Sequence, residues 1–369
     1  MKILIIGQWI FPLNTPRANR TWELAKGLAK EGHDVTIYAL LGNRDYSEEE
    51  RTLNLKIRNL GDSKFGLVDS QNYSKRTFLN RVISRLVGQY NAFPGCEFYS
   101  MIKKCFRVEK GVDMLISIAY PHVIHWAVEK YYDLLNPKCW IADCGDPFMG
   151  NVFYPPHKMY KKYEVRWCRR VDYITVPIED AIKGYYPEFR DKIRIIPQGF
   201  DNSNVKIAKY TTNEVPTFTF AGVTYPGLRD PSRFLQYLYE HKIQCKFIVY
   251  SRSEIFKSYA DKLDEVMEIN DYIPREELIY EMSKSDFLLN ISNGTDIQSP
   301  SKLIDYKLSN RPILTITSGF DSVEVTNFCN FINGNYVADT VVENMDRYNI
   351  ENVVNEFISL YREKVVHQK

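Results

Sequence analysis

SPSKLIDYKLSNRPILTI, residues 299–316, stands just after DFLLNIS, residues 286–292. DFLLNIS and PILTI are unbroken apolar runs of strand length, the mark of strands covered on both faces. Between them lie a polar loop and then LIDYKL, where Ser299 suits an N-cap and Pro300 the first helical position. Strand, loop, helix and strand in that order is the repeating unit of a parallel α/β sheet. The backbone NH groups of Ser301 and Lys302 would point into the loop, a geometry that binds anions. Asp305, one turn along the face of Lys302, is placed to accept hydrogen bonds from sugar hydroxyls beside a diphosphate. The same residues also fit a capped helix with a plain Lys to Asp surface pair.

The alternation runs in both directions from this block. Upstream, strands are expected at TFTFAG (residues 217–222), KFIVYS (246–251) and MEINDYI (267–273). In the first half they are expected at KILIIG (2–7), DVTIYAL (34–40), DMLISIA (113–119), CWIAD (139–143), DYITV (172–176) and IRIIP (193–197). The helical pattern TWELAKGLAKEGH puts Leu24 and Leu28 on one face and ends at Gly32. Residues 198–216, QGFDNSNVKIAKYTTNEVP, have no core periodicity and read as a linker. The expected architecture is α/β, with two doubly wound Rossmann-like domains facing a cleft, residues 1–205 and 212–349. In such sheets ligands lie at the carboxyl ends of the strands. The closing segment is an amphipathic helix, residues 350–369, with Val353, Phe357, Leu360 and Tyr361 on its apolar side, able to pack back on the first domain.

A chain of 369 residues exceeds one comfortable core. Its 48 basic against 46 acidic residues leave +2, which favours no nucleic-acid partner. Seven cysteines, scattered without CxxC pairs, disfavour a disulfide framework or a zinc site and fit a reducing cytoplasm. MKILIIG is too short for a signal-peptide core, and no apolar segment approaches the roughly 20 residues that span a bilayer.

Several pieces together resemble glycosyltransferase family 4. They are FPLNTPRANRTWELAKGLAKEGHDVTIYAL (11–40), IADCGDPF (141–148), RRVDYITVP (169–177), IRIIPQGFD (193–201), FAGVTYPGLRDP (220–231) and the block at 299–316. The likeness spans nearly the whole chain and is greatest to members that build bacterial surface polysaccharides. It implies the two-domain GT-B fold and a retaining, metal-independent transfer with no cofactor. The sugar would pass from a nucleotide diphosphate donor on the C-terminal domain to an acceptor on the N-terminal one, expected here to be a lipid-linked saccharide. The family usually carries two glutamates separated by seven residues, the second gripping the ribose. Here the second position is Asp305 and the first is Ile297, with Asp296 beside it.

The resemblance also distributes roles. Gly222 and Arg229, in the loop after the first strand of the second domain, join Ser299, Ser301, Lys302 and Asp305 as donor contacts. Arg229 and Lys302 form a two-cation clamp on the diphosphate; the alternative for Arg229 is a solvated pair with Asp230. His122, in SIAYPHVIH, is the catalytic positioning group that orients the reacting sugar, with His125 as its rival and a structural histidine as the plain reading. Asp143 and Asp146 in IADCGDPF suit acceptor contact, metal ligation or a turn cap; Gly145 stands where the similar enzymes usually have arginine.

The first loop, GQWIFPLNTPRANR, lacks GxGxxG spacing, which argues against a nicotinamide cofactor. Its Arg17, Asn19 and Arg20 at a helix start suit an acceptor phosphate or a polar entry turn. Residues 74–90, SKRTFLNRVISRLVGQY, are basic and amphipathic, fitting an anionic membrane surface on the inner face of the cell membrane or an ordinary domain helix. Rival functions are a nucleotide-sugar epimerase, an inverting transferase on the same fold, and a non-enzymatic two-domain sugar-binding protein.

Overall fold

Seven parallel strands form the first sheet: β1 (Lys2–Ile6), β2 (Asp34–Ala39), β3 (Lys56–Asn59), β4 (Met114–Ala119), β5 (Cys139–Cys144), β6 (Tyr173–Val176) and β7 (Ile193–Ile195). Their order is β3-β2-β1-β4-β5-β6-β7 in this computed structural model. It describes residues 1–65, 67, 92, 94–151, 155–224, 227, 229–292, 302–335 and 345–366, with the backbone alone at Lys302 and Met345. The chain divides into two compact units, Met1–Asp201 with Asp346–Lys369, and Asn202–Met345.

Alternation along each strand of the first unit feeds two cores. Leu4, Ile6 and Leu115 enter one, and Ile3, Ile5, Met114 and Ile116 the other. Among the described residues, the unit's helices before the C-terminal one are α1 (Pro16–Lys30), α2 (Ser47–Leu53), α3 (Glu97–Val108), α4 (Val123–Leu135) and α5 (Lys161–Arg170). Phe98 and Phe106 of α3, Ile124 and Trp126 of α4 and Trp167 of α5 fill the first core. Leu24 and Leu28 of α1 meet Val353 and Phe357 of the C-terminal helix (Ile350–Val366) in the second. Helix α1 starts where its chemistry says it should: Thr15 caps it through Ala18 N at 3.3 Å, Pro16 opens it, and Gly32 follows its end at φ +80°.

Gly27 lets α1 and the C-terminal helix touch, since a Cβ there would stand 2.7 Å from Val354 Cγ2 and 2.9 Å from Ile350 Cγ1. Gly27→Val gains a few tenths of a kcal/mol in helix propensity but overpacks this contact by about 1–3 kcal/mol. A lower melting temperature is expected; a variant as stable as the parent would show that the helices are not packed this closely.

The second unit holds five parallel strands, β8 (Thr217–Ala221), β9 (Lys246–Tyr250), β10 (Met267–Asn270), β11 (Phe287–Ile291) and β12 (Ile313–Ile316), in the order β10-β9-β8-β11-β12. Its helices are α6 (Ser232–His241), α7 (Glu254–Lys257), α8 (Arg275–Met282), α9 (Lys302–Leu308) and α10 (Ser322–Ile332). Register stacks Phe218 against Phe247 and Phe287 on the flanking strands, with ring centroids 4.6 and 4.9 Å apart.

Two features lie beyond the sequence expectations. Strand β3 and helix α2 were not foreseen: only Ile57 of β3 is buried and no residue of α2 is, so neither carries an apolar pattern. Within the expected linker, residues 208–213 are tied to the second unit. Tyr210 Oη donates to Asp286 Oδ1 at 2.6 Å, Ala208 N donates to Ser283 Oγ at 2.8 Å, and Arg311 stacks on the Tyr210 ring. These are polar anchors, which hydrophobic periodicity does not register.

Candidate functional site

Strand order reverses between β1 and β4 in the first sheet and between β8 and β11 in the second. In open parallel sheets the crevice at the carboxyl side of such a reversal receives ligands.

In the second unit, Gly222 directly follows β8 at φ +139°, a conformation open to glycine, and its NH donates to Tyr250 O at 3.1 Å. Tyr306 of α9 is fully buried; its hydroxyl accepts from Ala221 N at 2.8 Å and lies 3.1 Å from the carbonyls of Ala221 and Leu289. This side chain pins α9 to the carboxyl ends of β8 and β11, and so sets the place of Asp305. Asp305 Oδ1 accepts from Arg275 Nε at 2.7 Å, and Arg275 Nη2 reaches Asn202 Oδ1 at 3.3 Å. Burial pushes the Asp305 carboxyl above its ordinary value, with Arg275 acting against it. Burial also raises the Tyr306 hydroxyl, and the charge of Arg229 opposes that shift, so Arg229 faces the same corner.

Asp230 braces the Arg229 loop: it accepts from Ser232 N at 2.9 Å and Ser232 Oγ at 2.5 Å. Gly222, Arg229, Asp305 and the backbone start of α9 at Lys302 thus belong to one strand-end region. Ser299, Ser301, Asp296 and Ile297 lie outside the described residues, as does the segment 74–90. Arg275 and Tyr306 were missed by sequence reasoning, and no motif at either position could have disclosed them.

In the first unit, Asp143 at the end of β5 is buried under two arginines. Arg20 grips it through Nη2 at 2.7 Å and Nε at 3.1–3.2 Å, Thr175 Oγ1 donates at 2.7 Å, and Arg17 Nη1 stands 3.6 Å away. Arg20 Nη1 also donates to Pro197 O at 2.6 Å, and its guanidinium lies over the Phe357 ring. Burial pushes the Asp143 carboxyl up, but Arg20, Arg17 and Thr175 together hold it below the usual range. Arg20 and Asp143 form a buried frame rather than the expected acceptor contacts: Asp143 is engaged by Arg20, Thr175 and Arg17, and Arg20 by Asp143 and backbone carbonyls.

Arg17 is 19% exposed and lies where a side chain at residue 145 would begin, since a Gly145 Cβ would stand 2.7 Å from its Cζ. Glycine here therefore makes room for the guanidinium. Asn19 pairs with Asn14 at 3.0 Å on the surface, and Asp146 is exposed.

His122 is the cap residue of α4, buried, with its ring tilted on Phe148 at 5.1 Å. Burial drives its pKa down to about 4, a backbone bond to Asp146 raises it and Arg17 lowers it, so the imidazole is neutral at pH 7. Its Nδ1 is buried with no partner among the described residues. A neutral ring with an unfilled nitrogen orients a hydroxyl rather than supplying charge. The rival His125 is engaged on both sides, Nδ1 with Ser117 Oγ at 2.8 Å and Nε2 with Cys144 Sγ at 3.4 Å. His122, His125 and Cys144 gather three ligand-type atoms within 4.8 Å, a cluster that their sequence spacing conceals.

Glu164 was also missed, since KKYEVRWCRR reads as a charged helix. It is fully buried, its Oε1 faces Met149 N at 3.4 Å, and burial lifts its pKa to about 7. The folded state holds this proton more tightly than the unfolded one, so the contribution is complete below pH 4.5 and is lost as pH rises through 7. Stability should fall by up to about 3 kcal/mol across that window. Urea titrations at pH 5 and pH 7.5 should show a smaller fall for Glu164→Gln; equal pH dependence in both proteins would rule this out.

No family model matches the sequence, and no curated protein matches it. Solved structures do. Anabaena HepE bound to UDP and glucose aligns with a TM-score of 0.62 over 98% of this chain and 100% of its own, at 9% identity. TarM aligns with a TM-score of 0.66 over 98% of each chain at 9% identity. The lipopolysaccharide outer core galactosyltransferase WaaB aligns at 0.62 over 99% of this chain and 100% of its own, at 12% identity. This chain has the GT-B fold. Among the described residues, no helix is long and apolar enough to cross a membrane.

Proposed function

We propose that this protein is a glycosyltransferase that moves a sugar from a nucleotide diphosphate donor to a saccharide acceptor in the synthesis of a surface polysaccharide. The observation that carries the reading is the corner in the second unit where Tyr306 fixes α9 against β8 and β11, with Asp305 and Arg229 beside it. It lies at the strand-order reversal of a fold that in HepE holds UDP-glucose.

Breaking the anomeric bond builds negative charge on the departing diphosphate, and fixed cations there lower the barrier. Arg229 and Lys302 serve as those cations. Asp305, steadied by Arg275, accepts hydrogen bonds from the ribose. Neutral His122 offers Nδ1 to a hydroxyl of the reacting sugar. Arg17, Asn19 and Asp146 of the first unit are assigned to the acceptor, which we take to be lipid-linked. Transfer proceeds with retention and without a catalytic metal or cofactor in this reading. We assign the protein to the cytoplasm, with residues 74–90 resting on the inner face of the cell membrane.

Thermal shift tests the donor half. Nucleoside diphosphates and their sugars should raise the melting temperature, by the equivalent of about 2.7 kcal/mol at 100 times the dissociation constant. Stabilisation by free sugars with no response to nucleotides would instead identify a sugar-binding protein. Product stereochemistry by NMR separates the enzyme readings: a retained anomer supports this one, an inverted anomer an inverting transferase, and an isomerised donor an epimerase.

A further inference from the structure

Three soft ligand atoms converge in the first unit from two elements close in space. His122 and His125 stand one turn apart at the start of α4, and Cys144 ends β5. All three residues are buried, and their ligand atoms lie within 4.8 Å of one another. We propose that His122, His125 and Cys144 form a binding site for a soft d10 cation, Zn2+ or Cu+.

The distances fit with little motion. A tetrahedral ion with nitrogen at about 2.0 Å and sulfur at about 2.3 Å holds those two atoms roughly 3.5 Å apart. His125 Nε2 and Cys144 Sγ are already 3.4 Å apart. His122 supplies the third ligand, and its Nδ1 is buried with no partner among the described residues, an expensive state for a polar nitrogen. The three ligand atoms lie within 4.8 Å of one another, so the set must draw together to hold one ion.

The outer shell is also present. Histidines that bind metals usually hold their second nitrogen on an oxygen, which fixes the ring and the tautomer. His125 does so with Ser117 Oγ at 2.8 Å, and that hydroxyl is itself held by Trp140 Nε1 at 2.8 Å. In the bound form His125 Nδ1–H donates to Ser117, Nε2 gives its lone pair to the ion, and the Cys144 thiol proton leaves to solvent. One thiolate with two imidazoles suits Zn2+ and Cu+ over Mg2+ or Ca2+, which take oxygen.

Occupancy would claim Nδ1 of His122, the atom assigned above to the donor sugar, so ion and sugar would compete. Only that competition rests on the transferase reading; the binding does not.

The test is titration of the chelator-treated full chain with Co2+ as a spectroscopic probe. One equivalent should bring a thiolate-to-cobalt charge-transfer band, removed by added Zn2+. Cys144→Ser should abolish the band, His122→Gln and His125→Gln should weaken binding at least tenfold, and Cys96→Ser should leave it unchanged. Parallel competition against chelators with Zn2+ and with Cu+ decides which ion is held more tightly. Should Cys144→Ser fail to fold, X-ray absorption of the zinc-loaded parent replaces it, with one sulfur and two imidazoles expected. No thiolate band, a band that survives Cys144→Ser, or a shell of oxygens alone would overturn the site.

Discussion

Asp143→Ala is expected to cost the protein about 3–5 kcal/mol of stability, the usual penalty for removing one partner of a buried ion pair. Arg20 is 3% exposed and is held by this carboxylate on two nitrogens. Without it, a guanidinium stays desolvated with only carbonyls and the Phe357 ring for company. Thr175 Oγ1 loses its acceptor as well, and Arg17 its nearest counter-charge. In a domain of this size each kcal/mol moves the melting temperature by roughly 2–4 °C, so a fall of roughly 6–20 °C should appear by calorimetry. Replacing both members together, Arg20→Met with Asp143→Leu, should recover much of the loss, because the charge and its partner leave at once. A single variant that melts within about 1 °C of the parent would show that the pair is not the frame described.

The second large effect is on binding. Arg229→Ala and Lys302→Ala should each weaken nucleoside diphosphate affinity by about 10- to 150-fold, the worth of about 1.5–3 kcal/mol for a charge-assisted contact. Melting temperatures should scarcely change, since a clamp acts on the bound diphosphate and not on the packing of the free protein. Isothermal titration beside calorimetry reads both quantities. Normal diphosphate affinity in both variants would remove the clamp, and a large fall in melting temperature would make either residue structural.

Most of the scaffold was legible because buried parallel strands announce themselves as continuous apolar runs. KILII, MLISIA and FLLNI each become a central strand, and α1 carries its own start and stop in Thr15, Pro16 and Gly32. Strand β3 was not legible: it buries one residue of four and leaves no periodic trace. The candidate site divided along another line. Arg229 and Asp305 could be placed by their position after strands. The Arg20–Asp143 pair spans 123 positions and the Arg275–Asp305 pair 30, and nothing local marks either partnership. Arg20 looked like a surface cation at a helix start because burial is a property of the folded sheet. Glu164 was hidden for the same reason: its helix shows charges on most positions, yet this one faces Met149 and the interior.

The central claim is that the chain breaks a sugar–diphosphate bond and passes the sugar on. Incubating the purified protein with a panel of nucleotide diphosphate sugars and saccharide acceptors, lipid-linked ones included, tests it directly by mass spectrometry. One donor should yield its nucleoside diphosphate in step with an acceptor heavier by a single glycosyl unit. Across the panel, release of no nucleoside diphosphate, or release with no acceptor gaining mass, would contradict the account.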